Sequence, residues 1–194
     1  MTSNSDWVEW EGRFIQQIAN GVRQAREAAG LSQRALADRV GLSQGAINNL
    51  ESGTSRVKQT PTIAVLIRIA LATGRPPIEL LYPDLPVGAV EAWPGAATTS
   101  IEAAQWFSGH LSAWQIDRSA LTGNSTNARI QKARQYFNAK QALEVAKDQR
   151  MNARATPHGV DVTVEEADDY FVTRKKKFEA IKEELRKEGW PVDD

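Results

Sequence analysis

From Phe14 onward the apolar residues fall at helical spacing, through Ile18, Val22 and Ala25, and the run stops at Gly30, a residue suited to a helix C-terminus. Ser32 can cap a second helix that lasts to Val40 and stops at Gly41. A third starts after Ser43 and runs to Ser52-Gly53. Thr60-Pro61 opens a strongly apolar fourth, TIAVLIRIALATG, with proline in the favoured first turn, and PPIELLY supplies a short fifth. The pattern then breaks. The stretch PDLPVGAVEAWPGAATTS contains three prolines, two glycines and little charge, which marks residues 83–98 as a linker.

Thr99 and Glu102 next have capping-box spacing, ahead of a helix carrying Trp106, Phe107, Leu111 and Trp114. A small-residue turn, Gly123 to Asn127, leads into a helix expected to reach about Met151, with Ala133 and Phe137 on its inner side. HGVDVTVEE is a break, and Thr163 with Glu166 forms a second capping box. The final helix repeats every seven residues through Val164, Phe171, Phe178 and Leu185 and ends at Gly189-Trp190-Pro191. That stripe suits packing against the long helix; a dimer seam is the alternative. Arg174 interrupts the companion stripe of Ala167 and Ile181, which argues against an extended coiled coil. Strand signals are nearly absent. The expected fold is all-α: a five-helix domain over 1–82, the linker 83–98, and a helical C-terminal domain over 99–194.

Composition changes this picture mainly through charge. The 194 residues carry a formal net charge of zero, yet charge is unevenly spread. Residues 12–58 hold seven Lys/Arg against three acids, 118–156 hold eight against two, and 159–194 hold eleven acids against seven bases. Two basic islands imply two electropositive surfaces. The absence of cysteine excludes disulfides, thiolate chemistry and cysteine-ligated zinc. No apolar run approaches the roughly 20 residues that span a bilayer. The acidic start MTSNSDWVEWEG lacks the features of a signal peptide, so a cytoplasmic protein without a membrane partner is expected. His110 and His158 are the only histidines, and His110, among aromatics, reads as a hydrogen-bonded core residue. No glycine-framed nucleophile accompanies them. The expectation is a non-enzyme with no metal site and no cofactor.

The segment LSQRALADRVGLSQGAINNLESG, Leu31 to Gly53, is organised as a helix-turn-helix. Ala37 is the small residue needed where the two helices cross, and Gly41 supplies a turn position that tolerates positive φ. Leu36, Val40, Ile47 and Leu50 point inward at helical spacing, leaving Gln44, Gly45, Asn48 and Asn49 outward. Glutamine and asparagine pair a donor with an acceptor, which suits bidentate bonds to adenine in the major groove. Gly45 lets the helix backbone approach DNA. Glu51, near Arg34, reads as half of a structural ion pair.

The spacing Gln33-x-x-x-Ala37-x-x-x-Gly41-x-Ser43-Gln44 resembles the Cro/phage-repressor helix-turn-helix family over about residues 14–82. The resemblance implies that Gln33 contacts a phosphate and braces Gln44, which reads a base. It places Gln44, Gly45, Asn48 and Asn49 at reading positions, with Arg34 in support and Arg56 and Lys58 where phosphate contacts follow the third helix. Phosphate contacts position and base contacts specify. Double-stranded DNA is therefore the expected partner.

A second turn, Gly123-Asn-Ser-Thr-Asn-Ala-Arg-Ile130, parallels Gly41-Leu-Ser-Gln-Gly-Ala-Ile47 with one extra residue. The parallel turns Asn127, Gln131 and Lys132 outward, with Arg129 and Arg134 flanking them for phosphates, as a second DNA surface. The plainer alternative is a solvated helix whose bases pair with the acidic final helix. The whole arrangement resembles cluster A mycobacteriophage immunity repressors. That resemblance implies a monomer on asymmetric operator-like sites in the host bacterial cytoplasm, with no obligate protein partner. A dimeric regulator, or an antitoxin whose C-terminal helices bind a protein, stays open as the alternative.

Overall fold

The computed structural model describes residues 3–53, 60–117, 128–155 and 162–192, without the side chain of residue 114. The order of elements is α1 (Asn4–Ala28), α2 (Gln33–Val40), α3 (Gln44–Ser52), α4 (Ile63–Thr73), α5 (Pro77–Leu81), β1 (Ala89–Glu91), β2 (Ala97–Thr99), α6 (Ser100–Phe107), α7 (Ala113–Ile116), α8 (Ala128–Ala155) and α9 (Val164–Lys187). The chain divides into one unit over residues 1–125 and another over 126–194. The fold is all-α apart from one small hairpin, as expected.

In the first unit Ile18, Val22, Leu36, Ile47, Ile69 and Leu80 are almost wholly buried. Each such side chain contributes roughly 1.5–3 kcal/mol relative to exposure. Helix α1 begins ten residues before the first apolar repeat, because Ser3 and Asp6 close a capping box. Gly21 allows α1 and α5 to touch, since a Cβ there would overlap the Leu80 carbonyl. Helix α4 differs from the sequence reading in its cap. Thr62 Oγ1 accepts the Val65 N–H, so Pro61 precedes the cap instead of opening the helix.

The stretch read as a linker is structured and belongs to the first unit. β1 and β2 pair antiparallel with Ala89 opposite Thr99 and Glu91 opposite Ala97. Gly95, at φ +82°, turns the loop, and its N–H bonds Glu91 Oε1 at 2.6 Å. Ala92, Ala103 and Ala104 are buried in the same core as the helix-turn-helix, with Trp93 and Trp106 packed against it. Two links tie the hairpin to α1: Trp10 Nε1 donates to the Glu91 carbonyl at 3.0 Å, and Arg13 donates to the Glu91 carboxylate at 2.6 and 2.9 Å. An aromatic ladder follows, Trp10 stacked on Phe14, then Tyr82, then Phe107. Burial pushes the Tyr82 phenol up to about 12. Helix α6 starts at the expected Thr99–Glu102 capping box but ends at Phe107, short of Leu111. His110 is exposed and bonds Ser108 Oγ through Nδ1 at 3.1 Å, so the core-histidine expectation is corrected. His158 lies outside the described residues.

The second unit is a pair of long helices. Ala139, Leu143 and Phe178 form its core, with Tyr136, Phe171 and Ile181 packed against them. The seven-residue stripe of α9 therefore packs on α8, while Val164 at its start is exposed. No helix among the described residues is long and apolar enough to cross a membrane.

Candidate nucleic-acid interface

Local chemistry fixes the α2–α3 angle. Ser32 Oγ accepts the Ala35 N–H at 3.1 Å and Ser43 Oγ accepts the Ala46 N–H at 3.1 Å, so each helix has a side-chain cap. Between them Gly41 sits at φ 68°, ψ 38°, the left-handed turn that a residue with a Cβ adopts only at a cost. Leu36, Ala37, Val40 and Ile47 are buried between the helices. Gln44, Gly45, Asn48 and Asn49 are all exposed along the start and outer side of α3. At Gly45 an added Cβ would meet only Ser43 Oγ, at 3.9 Å.

Behind this row lies a buried polar cluster. Arg26 Nε donates to Glu51 Oε1 at 2.6 Å and Arg26 Nη2 to Oε2 at 3.0 Å, a two-pronged pair between α1 and α3. Gln33 Nε2 donates to the same Oε2 at 2.9 Å, bringing in α2. Arg23 Nη2 reaches the Glu51 carbonyl at 2.5 Å, and Arg26 Nη1 the Leu31 carbonyl at 2.9 Å. The hydrogen bonds to Glu51 hold the Arg26 guanidinium above its ordinary value. Glu51 is half of an ion pair, as read, but its partner is Arg26; Arg34 is exposed to solvent. Gln33, expected to brace Gln44, presents its amide nitrogen to Glu51 in the free protein. The pairing of Arg26 with Glu51 spans 25 positions and leaves no periodic trace. Its only sequence signal is an acid on the inner side of α3. Arg56 and Lys58 lie outside the described residues.

The second expected surface is rotated. Lys132, Tyr136, Ala139 and Leu143 share the face of α8 turned to α9, whereas Ile130 and Phe137 are 41% and 57% exposed. Lys132 is ion-paired with Glu188, and its ammonium lies 3.6 Å from Glu184 Oε1. The hydrogen bond to Glu188 raises the Lys132 value and lowers that of Glu188. Arg129 stands over the Trp190 ring, 4.9 Å from its centroid. Gln131 and Arg134 are half-buried, and Asn127 lies outside the described residues. Farther along, Arg150 and Arg154 both bond Asp168, at 2.5 and 2.8 Å, and hold its carboxyl below the ordinary range. The expectation of Phe137 inward and Lys132 outward is corrected, while Ala133 is half-buried: Glu184 on α9 and Glu188 at its C-cap draw Lys132 across, and Tyr136 packs on the inner side.

A mainly helical core presenting two capped helices at a left-handed glycine turn defines a helix-turn-helix domain. Residues 22–80 match the family model described as Helix-turn-helix, of the Cro/C1 type. The chain thus carries the domain of a DNA-binding transcription regulator. Comparison with curated proteins and with solved structures returned no match.

Proposed function

We propose that this chain is a sequence-specific transcriptional repressor of the phage-immunity kind, which lays the start of α3 in the major groove. One observation carries the reading: Gln44, Gly45, Asn48 and Asn49 form an exposed row on a helix whose Ile47 is fully buried. Gln44, Asn48 and Asn49 are the base-reading side chains, and Gly45 admits the DNA backbone. Gln33, Arg34, Arg56 and Lys58 position the domain on phosphates. A second contact runs along Asn127, Arg129, Gln131, Lys132 and Arg134, with Lys132 exchanging Glu188 for a phosphate. The preferred site is then asymmetric and occupied by one chain. Selection and sequencing of bound DNA, repeated with Gln44→Ala, tests this. The substitution should remove on the order of 1–3 kcal/mol of discrimination and leave weak non-specific binding. Equal relative affinity of both proteins for selected and scrambled sites would reject Gln44 as a reader. Replacing Arg129, Lys132 and Arg134 together by Ala should lower the salt slope by about 0.9 per lost phosphate. An unchanged slope removes the second contact.

A dimeric regulator is the second reading, favoured by the exposure of Ile130 and Phe137 on α8. Light scattering of the complex with selected DNA separates the two. One chain on an asymmetric site supports the first, and two chains on a dyad-symmetric site support the second.

A further inference from the structure

We propose that the groove between α8 and α9 binds an amphipathic organic anion: a carboxylate or phosphate head on an aromatic or acyl body. Lys140 and Lys147 stand seven residues apart on α8, and Lys175 and Lys182 seven apart on α9, so each pair shares a helix face. All four line one groove of about 420 Å³. That volume lies in the range that small-molecule sites occupy. The same groove is lined by Tyr136, Leu143, Phe171 and Phe178, giving an apolar, largely aromatic floor beneath the ammonium groups.

Charge in the groove is unbalanced. Glu144 pairs with Lys147 at 2.7 Å, and Glu179 is the only other acid lining it. Lys182 is 7% exposed, its stem buried while the ammonium still reaches solvent, and among the described residues no ion pair or hydrogen bond engages that ammonium. With no counter-ion its donors are left to water, and the oxygens of an entering anion would take them up. Duplex phosphates could use the exposed lysines but not the aromatic floor. An anion with an apolar body uses both. The inference is independent of how α3 meets DNA.

The test is titration of the full chain with 1-anilinonaphthalene-8-sulfonate, whose sulfonate stands in for a carboxylate or phosphate and whose emission rises in an apolar site. Binding should be saturable, and decanoate or decyl phosphate should compete while decanol should not. Lys182→Met keeps the aliphatic stem and removes the charge; it should weaken binding at least tenfold, with helicity by circular dichroism unchanged. Lys140→Gln with Lys175→Gln, both at exposed positions, should weaken it severalfold. Should Lys182→Met lose helicity, the exposed pair alone decides. Non-saturable emission, wild-type binding by the deciding variants, or competition by decanol as strong as by decanoate would overturn the proposal. So would complete displacement of the probe by a short unrelated duplex, which would assign the lysines to DNA phosphates.

Discussion

Glu51 Oε1 lies 2.6 Å from Arg26 Nε, and this contact joins α3 to α1 in the interior of the first unit. The Glu51 side chain is 2% exposed and that of Arg26 12%, so solvent screens the pair little. Because Gln33 donates to the same carboxylate, all three helices around the reading row converge on one acid. The angle of α3 is held by charge as well as by Ile47.

Removing one partner of such a pair leaves the other buried and uncompensated. Arg26→Met and Glu51→Leu should each lower unfolding free energy by about 3–5 kcal/mol in urea denaturation. The double variant should recover a large part of that loss, since coupled neighbours are not additive. Single-variant losses below about 1 kcal/mol would show that the pair does not hold α3.

Gly45→Ala separates folding from binding. The new methyl meets only Ser43 Oγ, and alanine in a helix is favoured over glycine by roughly 0.5–1 kcal/mol. The melting temperature should therefore hold or rise. On the proposed docking, affinity for the selected site should fall at least tenfold, because the methyl would stand between the helix backbone and the DNA. Wild-type affinity in a binding titration would place DNA elsewhere.

Fragment boundaries follow from the hairpin. Residues 1–125 should fold alone with a sharp thermal transition. Residues 1–86 lack Ala92, Ala103, Ala104 and Trp106 and should melt markedly lower, because Tyr82 and Phe14 lose their cover. Calorimetry of the two fragments checks this; equal melting temperatures would demote the hairpin to an appendage.

The helix-turn-helix was legible because its rules are local. A hydroxyl cap, a glycine at positive φ and apolar residues three and four apart each leave a mark within a few positions. The hairpin was not, since three-residue strands carry too little alternation to show and their stability comes from α1, 80 residues away. The inner face of α8 was misjudged for a related reason. Ile130 and Phe137 look like core by hydrophobicity, yet Lys132 lies inward because Glu184 on α9 and Glu188 at its C-cap pair with it. Local pattern gives the period; only the partner helix gives the phase.

Acid should loosen the second unit. Asp168 is lowered from 3.8 by hydrogen bonds from Arg154 and then Arg150, and Glu188 from 4.5 by Lys132. A depressed carboxylate stabilises the fold above its unfolded value, and the contribution is lost as pH falls through the lower folded value. Lys132 runs oppositely: raised above 10.5, its contribution is complete below that value and fades as pH climbs past the folded one. The melting temperature of Asp168→Asn should thus lie below wild type at pH 6–8. The gap should close below about pH 4. A gap that persists at pH 2 would mean that charge on Asp168 is not what matters.

Helix α3 sorts its residues into two sets with no member in common: Ile47, Glu51 and Leu50 face the interior, while Gln44, Asn48 and Asn49 face out. Changes at the outward three disturb no packing, so a library randomised there would consist almost wholly of folded proteins. If these three read bases as proposed, descendants of this chain can acquire a new target sequence in single steps without first acquiring spare stability, and two such descendants can come to ignore each other's sites while remaining the same molecule inside.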